Sequence, residues 1–161
     1  MGRSVKPKTR SSSATRRRAH PREDFQSEYL ATDLEVVSKR SLDAYRDATR
    51  GKEINRDEIT GRGRVILLGV GGRVSPRESS NSRINRNVMA AVRYIRGLSP
   101  KARAEWDAAA TRTVDIGIQA GHQPDPLEIV LELKTIKAVT DIGARVQVTM
   151  YAAPQTRARD D

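Results

Sequence analysis

The sequence predicts an α+β protein: an N-terminal disordered basic arm, then helices packed on an antiparallel sheet that ends in a three-stranded C-terminal meander. Three observations predict it. The C-terminal third alternates apolar and polar residues in "TVDIGIQA", "LEIVLELK" and "ARVQVTMYA". Between residues 83 and 96, Ile84, Val88, Ala91 and Ile95 recur at helical spacing. Residues 1–22 hold eight Lys or Arg, no acid and almost no apolar residue. The expected organisation is an arm over 1–22, one domain over 23–153 and a tail over 154–161.

The arm cannot bury enough apolar surface to offset chain entropy, so it is expected to be disordered when free. Residues 23–50 place Phe25, Tyr29, Val36, Val37, Ala44, Tyr45 and Ala48 at roughly helical intervals. They predict a helix with a break, restarting at the capping-box spacing of Thr32 and Glu35 and stopping at Gly51. Residues 65–74 read as a strand. After the polar loop "SPRESSNS", the 83–96 helix puts its apolar stripe on one side and Arg83, Arg86, Arg93 and Arg96 on the other. Gly97 ends it. Ser99 and Pro100 make an N-cap and first-turn pair for a second helix to about Ala110, anchored by Trp106. In the meander, Val114, Ile116, Ile118 and Ala120 share a face. So do Leu127, Ile129, Leu131 and Leu133, and Ala144, Val146, Val148, Met150 and Ala152. Asp141-Ile142-Gly143 supplies a turn before the last strand.

Charge is distributed in blocks. The formal net charge is +10. The arm carries +8, residues 23–60 carry −4, residues 61–103 carry +9 with Glu78 as their one acid, and residues 104–150 carry −3. Arg outnumbers Lys 23 to 7. A planar guanidinium suits phosphate better than a point-charge ammonium does.

Several function classes are excluded or left without support. The chain has no Cys, so disulfides, Cys-based zinc sites and thiol nucleophiles are ruled out. No apolar run is long enough to span a membrane, and no signal-peptide segment follows Met1. "RVILLGVGGRVS" brings a strand to a glycine cluster, as in dinucleotide-binding loops. However, Val74 stands at the third glycine position, Pro76 follows, and residues around Arg93 are basic where an acid is needed. No Gly-Lys-Ser/Thr occurs, so a Walker loop is absent. His20 and His122 lie in the arm and in a turn-rich loop, with no second ligand at metal spacing. One Phe and four Tyr make a poor base-stacking platform. Glu105 and Asp107 make the second helix a weak recognition surface for a helix-turn-helix.

"PDPLEIVLELK" contains Pro124-Asp125 and Glu132-Leu133-Lys134, and so resembles the PD-(D/E)xK nuclease signature. The resemblance covers eleven residues. It implies that Asp125 and Glu132 would hold magnesium and that Lys134 would position the attacking water. If 127–133 is one strand, the two carboxylates lie about 20 Å apart and cannot share a metal. Glu128, Glu132 and Lys134 then form a strand's polar face.

The expectation is a non-enzymatic structural protein that binds nucleic-acid backbone, with RNA slightly ahead of DNA, and needs no cofactor or metal. The arm contributes Arg3, Lys6, Lys8, Arg10, Arg16, Arg17, Arg18 and Arg22, and the folded part contributes Arg83, Arg86, Arg93 and Arg96. An arginine-rich arm on a small domain resembles, in composition, the arms of small viral capsid proteins. That implies a virion, cytoplasmic or nuclear location. Self-association is expected through exposed edges of the C-terminal strands. A membrane-associated matrix-type protein binding an anionic surface, or a DNA-binding regulator or architectural protein, shares the layout.

Overall fold

In the computed structural model, residues 26–50, 54–60, 63–70, 78–121 and 126–153 are described. The chain runs β1 (Glu28–Ser38), α1 (Asp43–Thr49), β2 (Ile54–Thr60), β3 (Gly63–Val70), α2 (Ser80–Arg96), α3 (Pro100–Asp107), β4 (Thr111–Gln119), α4 (Leu133–Asp141) and β5 (Arg145–Tyr151). The strands form one sheet in the order β2-β3-β1-β4-β5. The class is α+β, as the alternating and helical segments predict.

β1 corrects the first element. Residues 28–38 form a strand, and helix is confined to the seven residues of α1. Thr32, Leu34 and Val36 alternate inward while Asp33 and Glu35 alternate outward. β1 pairs antiparallel with β3 on one side and β4 on the other. Pairing along both edges outweighs a local helical spacing. A register shift between Tyr29 and Ala31 lets Tyr29 face the core as well, which is what blurred the period-two signal.

The three-stranded meander is the second correction. β4 and β5 are neighbours but parallel, so a crossover must join them, and α4 is that crossover. The sheet is therefore mixed. Residues 126–132 are not a strand of it. They still alternate, with Leu127, Ile129 and Leu131 packed on the core, but they lie against α2 and bond to side chains. The Val130 amide donates to Asn81 Oδ1 (2.9 Å) and the Glu132 amide to Asn85 Oδ1 (2.9 Å). Asn85 Nδ2 in turn donates to the Val130 carbonyl (2.7 Å). Two asparagines one helical turn apart thus substitute for a neighbouring strand. The 141–143 turn does occur, at a helix end. Gly143 takes φ +69°, the Gly143 amide donates to Thr140 O and the Ala144 amide to Val139 O. This is a Schellman end that turns the chain into β5.

α2 begins at Ser80, three residues before the expected start and inside the expected loop, because Ser79 caps it; α3 begins at Pro100 as expected and ends at Asp107, short of Ala110. Ser79 Oγ accepts from the Ser82 amide and Ser99 Oγ from the Ala102 amide, with Pro100 in the first turn of α3. Leu34, Val36, Val114, Ile116 and Ile118 on one sheet face meet Ile84, Val88, Val92 and Ile95 of α2 and Ala138 and Val139 of α4. Trp106 is fully buried, lies 5.8 Å from the Tyr45 ring and donates from Nε1 to the Ile142 carbonyl (2.9 Å). It ties α1, α3 and the end of α4 together. Each large apolar side chain buried this way contributes about 1.5–3 kcal/mol.

Candidate nucleic-acid interface

The arm cations Arg3, Lys6, Lys8, Arg10, Arg16, Arg17, Arg18 and Arg22 lie outside the described residues, as does Asp125 of the nuclease-like motif. The four remaining candidates stand on α2, opposite its buried face of Ile84, Val88, Ala91 and Ile95. From Arg83 to Arg96 the helix advances about 20 Å. Arg93 and Arg96 occupy its last turn, where the backbone dipole favours cations.

Their environments differ. Arg83 is half-buried; its guanidinium donates to the Tyr29 carbonyl (2.5 Å) and sits 4.6 Å over the Tyr29 ring. Arg86 pairs with Glu78 (3.1 Å) with 40% of its side chain exposed. Arg96 pairs with Asp141 (3.3 Å) with 50% exposed. Arg93 is exposed and meets no carboxylate among the described residues. The structure thus brings all four to one helix, assigns Arg83 to the interior side of that surface, and leaves Arg86, Arg93 and Arg96 reachable. The half-exposed Arg96–Asp141 pair is worth about 0–1 kcal/mol, so a phosphate can compete for that arginine.

α4 adds cations that the sequence reading does not assign to this surface. It packs beside α2, and a 250 Å³ notch between them is lined by Ser82, Asn85, Arg86, Met89, Glu132, Lys134 and Thr135. Lys134 bonds Glu132 at 2.6 Å, and Lys137 lies 3.6 Å from Asp141, the same carboxylate that meets Arg96. Reading 127–134 as a strand hides both lysines; the helical spacing of Thr135, Ala138 and Val139, the buried residues of α4, is the signal that would have found them. Glu132, the nuclease-like candidate ligand, is the residue preceding α4 and is held by Lys134. Among the described residues no cluster of three His, Cys, Asp or Glu is placed to hold a metal.

The opposite sheet face has another character. Asp33 and Asp115 are register partners across β1 and β4. Burial, then the Asp115 charge, raises the Asp33 carboxyl above its ordinary range. Thr149 Oγ1 donates to Asp115 (2.8 Å), and Arg145 Nε donates to Thr113 Oγ1 (3.1 Å). The α2–α4 surface carries Arg86, Arg93, Arg96, Lys134 and Lys137 against Glu78, Glu132 and Asp141, whereas the opposite sheet face sets Asp33 beside Asp115. No helix among the described residues is long and apolar enough to cross a membrane.

Compared with protein-family models, curated proteins and solved structures, the chain matches none.

Proposed function

We propose that this is a non-enzymatic structural protein that neutralises nucleic-acid backbone, with the arm as its main cation source and the α2–α4 surface as a secondary platform. A packaging role, in which many copies cover one nucleic acid, fits that division of labour. The observation that carries the reading is the row of exposed arginines on α2, Arg86, Arg93 and Arg96, with the exposed Lys134 and Lys137 of α4 beside it. Arg83 grips Tyr29 at the start of β1, beside the end of α2 at which the arginine row begins. Arg86, Arg93 and Arg96 are the folded part's contacts to phosphate. Contacts of this type position a backbone and read little sequence.

The test is direct binding of fluorescent single- and double-stranded oligonucleotides, measured beside anionic vesicles at the same ionic strength. Oligonucleotide binding well ahead of vesicle binding is the expected result. Vesicle binding that equals it would move the protein to a membrane-matrix role. Absence of oligonucleotide binding near physiological salt would overturn the proposal.

A further inference from the structure

Among the described residues, β5 is an edge strand that nothing covers. Among those residues it pairs with β4 alone. Its helix-facing row, Val146, Val148 and Met150, lies in register with buried Val114, Ile116 and Ile118, yet is 36%, 48% and 68% exposed. Beside it, α4 leaves Leu133 82% exposed and Ile136 half-exposed. The backbone is equally open. The Ala120 amide donates to the Tyr151 carbonyl, so odd-numbered residues of β5 turn their polar groups toward β4. Val146, Val148 and Met150 therefore turn theirs outward, because successive residues of a strand alternate. No Pro or Lys stands in "RVQVTMY" to block an approaching strand.

We propose that the occupant of this edge is a second copy of the same chain, paired antiparallel through β5 about a two-fold axis at Val148. The strand is complementary to itself in that register. Val148 faces Val148, Val146 faces Met150, Gln147 faces Thr149, and Arg145 faces Tyr151 across the axis. Apolar meets apolar on the helical side and no like charges oppose on the other. Each outward residue donates to and accepts from its counterpart, the two α4 helices flank the axis with Leu133 and Ile136, and the two sheets become one. The chain's own flanks do not compete. Residues 1–22 and the tail "PQTRARDD" have no alternating apolar run to lay beside β5. The other edge, β2, carries Arg56, Asp57 and Glu58 in sequence. Pairing it with β5 would be head-to-tail and would not close.

The inference gives the self-association expected from the sequence a surface, and it does not depend on phosphate binding, because it is tested without nucleic acid. Sedimentation equilibrium of the full chain, stripped of nucleic acid, should give twice the 17.9 kDa chain mass. Val148→Lys opposes two cations at the axis and should raise the dimer dissociation constant about tenfold or more, as should Val148→Glu. Mixing the two variants should restore a dimer that contains one of each, which only a residue facing itself can do. This mixed-dimer readout also separates lost pairing from lost folding. A monomeric parent chain, a larger open-ended series, or a dimer indifferent to both substitutions would overturn the proposal.

Discussion

Arg83 and Tyr29 hold each other through two contacts, a guanidinium hydrogen bond to the Tyr29 carbonyl at 2.5 Å and a ring contact at 4.6 Å. Arg93, ten residues along the same helix, is exposed. Two arginines of one basic face therefore have different work. Arg83→Ala should cost about 1–3 kcal/mol of stability through the lost charged hydrogen bond and ring contact. Arg93→Ala should change stability by less than about 0.5 kcal/mol and reduce the slope of log affinity against log salt by about one phosphate contact. Chemical denaturation and a salt series on both variants check the split.

Asp33 and Asp115 oppose each other on the sheet face. Asp33 Oδ1 is buried with no hydrogen-bond partner among the described residues. Its carboxyl is raised from an ordinary value of 3.8, first by burial and then by Asp115. The folded chain therefore holds this proton more tightly than the unfolded chain does. Ionising it costs stability as pH rises from about 3.8 through the folded value, and the full cost remains above it. Asp33→Asn should stabilise the protein at pH 7, and the gain should vanish as pH falls below about 4. Urea midpoints at pH 7 and pH 3 measure this. A variant less stable than the parent at pH 7 would contradict it.

Asn85 bonds the Asn81 and Val130 carbonyls and the Glu132 amide. Asn85→Ala should cost about 1–3 kcal/mol, since these part-buried groups lose their partners. Hydrogen exchange should show the loss at the Glu132 amide, which donates to Asn85, before the strand amides of β1 and β4.

Trp106 combines ring burial with one hydrogen bond to Ile142 O. Trp106→Phe should cost about 1–3 kcal/mol by orphaning that carbonyl. Trp106→Ala should cost about 3–5 kcal/mol because it also leaves a cavity. Thermal melts of both variants give the comparison.

Local signals were legible wherever local physics decides. The apolar stripe of α2, its stop at Gly97, the Ser99-Pro100 start of α3 and the burial of Trp106 all depend on neighbours within a turn or two; the Ser79 cap of α2 was hidden in a run of polar residues that reads as loop. β1 was not legible, because its strand state comes from β3 and β4, thirty to ninety residues away in register pairs such as Val36 with Ile66 and Tyr29 with Ile118. Residues 127–132 were half legible. Their alternation is real and points Leu127, Ile129 and Leu131 inward, but their partners are the side chains of Asn81 and Asn85, which no strand pattern announces. α4 was masked by its β-branched content, Thr135, Ile136, Val139 and Thr140. At the candidate interface, the placement of four arginines on one helix face could be read from spacing. The engagement of Arg83 could not, because it depends on a tyrosine 54 positions away.

The central claim is that the arm supplies most of the phosphate contacts. The most direct measurement is the salt dependence of duplex binding by the full chain and by its Arg16→Ala, Arg17→Ala, Arg18→Ala triple variant. Loss of three contacts should flatten the slope of log affinity against log salt by about 3, with the fold unchanged by circular dichroism. An unchanged slope, or binding that never weakens with salt, would contradict the account.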